Sequence, residues 1–451
     1  MTTLSRTRKA CNDKPGGGPA CRGANGLLAA AGASESGSLG INAKSCAIGL
    51  NKGPNGGFGP ETRMNTRVVR FALQSVSRNI LPTSRTAKCL RIRAYNSEIQ
   101  VWKHHEHGTA AYAGLQTCGS VWACPVCAAK IAERRRVELQ TALALHRAGV
   151  GIAGGGAGAV LLLTLTTPHQ KTDKLSELLE MQAKAMHRFW RDMTVRGIFK
   201  EMGTVGHVKA TEVTHGRRSP QNNGWHPHYH CLIFCGSGVD LTRFDDAQRK
   251  DWAVRLYLRW AACCVRSGLG EPSFAHGLKL DNGTEAANYA AKWGLEDEMT
   301  KGHTKKATHG ETPFDFLRAY LADGSDKQAA ALFKEFAETF KGKRQLSWSK
   351  GLKSRFAVEE VSDEELSTRV EEEAVLLGQI NVDQWRDVLK VDARATVLEI
   401  AARSGWHEVQ RFLWFIEGAH KGAEIGAELL AEARSLLLPV PLDQVVTSNA
   451  T

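Results

Sequence analysis

The strongest constraint on the fold is the order in which apolar periods follow one another between residues 160 and 298. Short apolar or alternating runs mark strands at 160–167, 205–214, 228–234 and 275–280. Helical spacing marks 174–199, 247–267 and 284–298, the last beginning in the turn Asp281-Asn282-Gly283-Thr284. Strand, helix, strand, strand, helix, strand is the split βαβ order, so the expectation is an α+β fold: an antiparallel sheet of ferredoxin-like order, covered by helices on one face.

The third of these strands lies in WHPHYHCLIF, where His228 and His230 stand two residues apart. Residues i and i+2 of a strand share a face, so both imidazoles can reach one metal ion. A hairpin centred near Pro220 would set Glu212 opposite His228. Two imidazoles and a carboxylate would suit Mn²⁺ or Mg²⁺ and leave positions for water or a phosphate oxygen. His226 falls at the rim of this group.

Glu285, Tyr289 and Lys292 in TEAANYAAKW share one face of the last helix, at about 0°, 40° and −20° around its axis. A tyrosine hydroxyl can attack phosphorus only if its phenolate, with a pKa near 10, is stabilised. Lys292 or a metal ion can supply that.

Upstream, Cys118, Cys124 and Cys127 occur in CGSVWACPVC, among eleven cysteines in all. Cys-Pro-x-Cys makes the turn by which two thiolates chelate Zn²⁺, with Cys118 as a third ligand. The fourth is open between Cys89 and one of His104, His105 and His107 in KHHEH. Such a cluster, with no secreted-type disulfide framework, points to a reducing cytoplasm.

Composition sets the organisation. From residue 357 onward there are 18 acidic and 8 basic residues, a net of −10, which leaves +22 on residues 1–356. A basic body with an acidic tail suggests a polyanionic partner. Thirteen of the 44 glycines fall in the first 60 residues, an aperiodic tail. The glycine run at 151–158 precedes its strand and lacks a Gly-Lys-Ser/Thr ending, so it reads as a linker and gives no sign of nucleotide hydrolysis. No apolar run approaches a membrane span or a secretion signal, and a soluble cytoplasmic protein without membrane contact is expected. The expected domains are a flexible tail (1–66), a zinc-knuckle module with a basic helix (67–150), the strand–helix core (151–356) and an acidic all-α region (357–451), the last for dimerisation or docking of a host protein.

The motifs TLTTPH, WHPHYHCLIF, EAANYAAKW and LSWSKGLK, in this order below a cysteine knuckle, resemble the HUH-endonuclease rolling-circle replication initiators of small bacterial plasmids. The resemblance covers about residues 89–356. It implies the HUH fold, with His228 and His230 as the metal pair and Tyr289 as the nicking residue, which forms a 5′-phosphotyrosine and frees a 3′-hydroxyl. Glu285 would match the carboxylate that activates water to end the cycle, and the first motif would be a core strand with no catalytic role. Origin DNA, single-stranded or extruded as a hairpin, is the implied substrate, with Trp225, Tyr229 and Trp293 available to stack on it. A helicase and a polymerase would come from the host. Two other readings stay open: a transposase or relaxase of the same chemistry, and a zinc-dependent DNA-binding protein without activity.

Overall fold

A computed structural model describes residues 60–104, 108–150, 152, 156–220, 222–236, 246–282, 310–368 and 374–420. It opens with α1 (Pro60–Ile80), the single turn α2 (Arg85–Lys88) and the hairpin β1 (Ile99–His104) and β2 (Thr109–Ala113). The long helix α3 (Pro125–Arg147) follows the cysteine knuckle, with Cys124 as its N-cap and proline in its first turn.

Next come β3 (Ala159–Thr166), α4 (Leu175–Arg191), α5 (Met193–Glu201), β4 (Thr204–His215), β5 (Trp225–Cys235), α6 (Asp246–Val265) and β6 (Leu278–Asn282). Leu175, Leu178, Leu179, Gln182, Ala185, Met186 and Phe189 form the buried stripe of α4. The single helix expected over 174–199 is instead two, because the Asp192 carboxylate accepts from the amides of Thr194 and Val195 and starts a new helix.

The remaining elements are α7 (Pro313–Ala322), α8 (Lys327–Thr339), β7 (Leu346–Trp348), α9 (Leu352–Arg355), α10 (Asp363–Thr368), β8 (Ala374–Ile380), α11 (Val382–Lys390), α12 (Arg394–Ser404) and α13 (Trp406–His420). The main sheet has the order β6-β3-β5-β4-β7, and every pairing in it is antiparallel. In β6-β3-β5-β4 the strand β5 separates β3 from β4, as the split βαβ order requires.

Alternation along the strands assigns the faces. Leu161, Leu163, Leu165, Tyr229, Cys231 and Ile233 point into the core shared with α4 and α6. Val160, Leu162, Val208, Ala210, Leu232 and Phe234 pack on Leu139, Ala142 and Leu143 of α3. The expectation of helices on one face is thus corrected: α3 closes half of the second face. At its other end, this second face carries Thr164, Thr166, Glu212, His228 and His230.

A second correction concerns the acidic region, expected to be all-α. Its segment AVLLGQI forms β8, which pairs with β1 in a three-stranded sheet of order β2-β1-β8. Ile99, Val101, Tyr112, Ile380, Trp385, Val397 and Val409 share one core, so the C-terminal helices are built onto the β1–β2 hairpin. The fully buried Arg394 ties the join, donating to Gln74 Oε1 at 2.6 Å and to Ser75 Oγ at 3.1 Å. No helix among the described residues is long and apolar enough to cross a membrane.

Candidate metal centres

The first centre is built by β4 and β5. Pro227 has no N–H to give, and it sits where the ladder to β3 has already ended at the pair Thr166–His228. The ladder to β4 sets Glu212 opposite His228 and Ala210 opposite His230. Glu212 Oε2 lies 3.3 Å from His228 Nε2 and 3.1 Å from His230 Nε2. Ligands held at about 2.1 Å by an octahedral ion stand about 3.0 Å apart at adjacent corners. The three donor atoms are therefore spaced as ligands of one ion, and their side chains are only 10–19% exposed.

Thr164 of β3 completes the support, with Oγ1 3.2 Å from His230 Nδ1. A proton donated from Nδ1 to this hydroxyl leaves the lone pair of Nε2 free for a metal. The sequence reading found no role for the TLTTPH strand; the signal was the register of β3 on β5, which no local pattern reveals. His228 Nδ1 is buried without a hydrogen-bond partner among the described residues. Beyond it, His226 stacks on His169 at 4.7 Å between ring centroids, and His169 Nδ1 donates to the Asn223 carbonyl at 2.8 Å. Burial, then the neighbouring imidazoles, push His226 down to about 4, so it is neutral at neutral pH.

Two of the residues expected to stack on DNA do not line this site. Trp225 is buried and donates from Nε1 to Glu335 Oε2 at 3.0 Å. Tyr229 is buried on the opposite face with Lys209 Nζ 4.4 Å above its ring. Glu285, Tyr289, Lys292 and Trp293 lie outside the described residues. The chain on either side of them is fixed at opposite ends of the sheet. Asn282 pairs with Leu161 at the end covered by α3, and Glu311 pairs with His215, three residues from Glu212. Arg217 locks that return point, donating to both carboxylate oxygens of Glu311 at 2.8 and 2.9 Å and of Asp326 at 2.7 Å.

The second centre gathers Cys89 from the end of α2, Cys118 from the loop after β2, and Cys124 and Cys127 from the start of α3. Sulfur separations are 3.5 Å for Cys89–Cys127, 3.7 Å for Cys118–Cys127 and 3.8 Å for Cys89–Cys124. Four thiolates bound tetrahedrally at about 2.3 Å stand about 3.8 Å apart, so this spacing fits one ion. Of the candidate fourth ligands the structure brings in Cys89; His104 pairs with Thr109 and Ala374 in the small sheet, and His105 and His107 lie outside the described residues. Burial raises the Cys124 thiol, but its hydrogen bonding with Cys118, Cys127 and Cys89 outweighs this and holds Cys124 well below the usual thiol range. Gln74 Nε2 donates to its sulfur at 3.1 Å, extending the Arg394 network to the cluster.

Fold and clusters together define an α+β protein with two candidate metal centres, a Glu/His/His group on the main sheet and a four-cysteine group packed into the core that the sheet shares with α4 and α6. Residues 112–250 match the family model described as replication protein, a range that contains Glu212, His228, His230 and three of the four cysteines and ends before Tyr289. The "Protein rep" of Streptomyces lividans is 26% identical over 372 residues, 67% of this chain and 74% of its own length. The "Neomycin resistance protein" of Streptomyces cyanogenus is 30% identical over 162 residues, 31% of this chain and 35% of that protein. No solved structure matches. Residues 112–250 are thus similar to the replication-protein family, and the resemblance to plasmid rolling-circle replication initiators drawn from the motifs stands.

Proposed function

We propose that this protein starts plasmid rolling-circle replication by nicking one strand of the origin through Tyr289. The observation that carries the reading is the convergence of Glu212, His228 and His230 beside the point where Glu311 brings the chain back from the Tyr289 segment. Glu212, His228 and His230 would hold Mg²⁺ or Mn²⁺, which when bound polarises the scissile phosphate and steadies it for in-line attack. Thr164 holds the His230 ring in the tautomer this needs. The Tyr289 oxygen attacks phosphorus and the 3′-oxygen leaves, giving a 5′-phosphotyrosine and a 3′-hydroxyl for the host polymerase. Lys292 lowers the cost of the phenolate, and Glu285 takes the proton of the water that ends the cycle. The covalent link conserves the phosphodiester energy, so rejoining needs no nucleotide, and strand separation falls to a host helicase.

The four cysteines would hold Zn²⁺ as a structural ion that staples residues 67–150, leaving nicking and joining to residues 151–356. The acidic region from 357 would serve pairing of two copies or a host partner. The compartment is the bacterial cytoplasm.

The test is to incubate the protein with supercoiled DNA carrying its coding region and flanks, plus Mn²⁺ or Mg²⁺, and to look for covalent protein–DNA adducts after denaturation in detergent. An adduct that Tyr289→Phe abolishes is expected. Tight DNA binding without an adduct under either metal would overturn the nicking mechanism in favour of a zinc-dependent binding protein.

A further inference from the structure

A cleft of about 800 Å³ opens between the end of α1, the turn α2 with the residues after it, and α11. Arg78, Lys88, Arg91, Arg386 and Lys390 line it, and no acidic or aromatic side chain does. Three of these cations have a carboxylate beside them outside the lining: Arg386 with Asp383 at 2.7 Å, Lys390 with Asp387 at 2.8 Å and Arg91 with Asp392 at 3.3 Å. Arg78 and Lys88 are exposed and have no acidic partner among the described residues. Lys88 also borders a second, smaller cleft lined by Gln116, Thr117 and Arg85, the last paired with Glu364 of the same cleft at 3.5 Å. The two clefts meet at Lys88 in one track, whose cations without an acidic partner among the described residues are Arg78 and Lys88.

We infer that this track grips the sugar-phosphate backbone of duplex DNA beside the nick, as a surface separate from the nicking centre; this rests on the proposed function above. Cations and amide or hydroxyl donors match phosphate oxygens. A single-strand channel would in addition offer aromatic faces for unpaired bases, and neither cleft has one. The track is fastened to the cysteine centre, since Lys88 precedes Cys89 and Arg91 follows it by two residues. Arg394 holds the same turn, donating to Gln74, which itself donates to the Cys124 sulfur. The four-thiolate ion would therefore act as the rivet that sets the spacing of the cations.

The test measures binding of the full-length protein to a 30-base-pair duplex by fluorescence anisotropy over a salt series. In parallel, adduct formation is followed on a single-stranded oligonucleotide from the nicked region. Arg78→Ala/Lys88→Ala should weaken duplex binding about tenfold and flatten the log–log salt slope by about 2, at roughly 0.9 per phosphate contact. Arg386→Glu, on the opposite wall, should do the same, which guards against a local folding defect around Cys89. Adduct yield on the single strand should be unchanged in both variants. Unchanged affinity and slope in both would overturn the inference whether or not the adduct forms, while absence of the adduct in the unmodified protein would overturn the nicking mechanism alone.

Discussion

Replacing Cys124 by serine puts the four-thiolate centre to its severest test. Its sulfur lies 3.8 Å from that of Cys89 and accepts from Gln74 at 3.1 Å, so one substitution removes a candidate metal ligand and unties the cluster from the buried Gln74–Arg394 link. Structural zinc contributes apparent binding free energies of about 10–16 kcal/mol in small domains, comparable to the roughly 5–15 kcal/mol stability of a whole domain. Losing even about 3 kcal/mol of this should lower Tm by roughly 6–12 °C. We expect the unmodified protein to carry one zinc per chain, measured by atomic emission and by release to a chromogenic chelator on thiol modification. Cys124→Ser should lack it and melt earlier. Because Arg394 joins the cluster to α12, chelation should also raise hydrogen exchange in α11–α13, which a centre isolated from the C-terminal region would not do. Protein purified without chelators that holds no zinc, or a Cys124→Ser variant that keeps both metal and Tm, would refute the assignment.

Three further outcomes follow from the same geometry. Thr164→Val keeps the β-branched shape but removes the hydroxyl 3.2 Å from His230 Nδ1, and should weaken Mn²⁺ binding about tenfold by calorimetry; an unchanged affinity would mean that Thr164 does not orient the ring. Burial, with Lys209 adding to it, pushes His207 down to about 4 where it stacks on Trp190, so the fold favours its neutral form. Its contribution, about 3 kcal/mol at most, is present above the unfolded value near 6.5 and is lost as pH falls from there through about 4. His207→Leu should flatten the acid limb of the denaturation midpoint over that range, and an unaltered pH profile would reject the cause. Arg217→Met leaves Glu311 and Asp326 only the more distant, exposed Arg218 at 3.4 and 3.9 Å and should cost about 3 kcal/mol in urea unfolding, with Glu311→Leu/Asp326→Leu in the same background restoring most of it; no loss in the single variant would show the clamp to be idle.

What was legible in the sequence depended on whether a pattern is local. The Cys-Pro-x-Cys turn and the His-x-His alternation are local, and each implies its geometry wherever the strand or knuckle lies. The place of Glu212 needed only a symmetric hairpin, a single pairing between neighbours in sequence. The seat of α3 on the second face and the pairing of β1 with β8 join segments far apart in the chain. Nothing in AVLLGQI distinguishes a short strand from a helical turn until its partner is known. Asp192, by contrast, was a readable N-cap inside an apolar period; the continuous stripe of α4 masked it.

Strand parity also explains why the aromatic residues of WHPHYHCLIF serve a different purpose from its histidines. His226, His228 and His230 occupy alternate positions, so Trp225 and Tyr229 must point the other way. The fold uses this division: the odd-numbered side chains feed the core beneath α4 and α6, while of the even-numbered ones Leu232 and Phe234 pack under α3 and the histidines lie where α3 no longer covers the sheet. One strand thereby holds its position through its odd-numbered side chains together with Leu232 and Phe234, and presents His228 and His230 as candidate ligands. The convergence of two imidazoles on one carboxylate oxygen is as rigid as the core behind them, because moving either histidine would require shifting the register of β5 on β3 and β4 together.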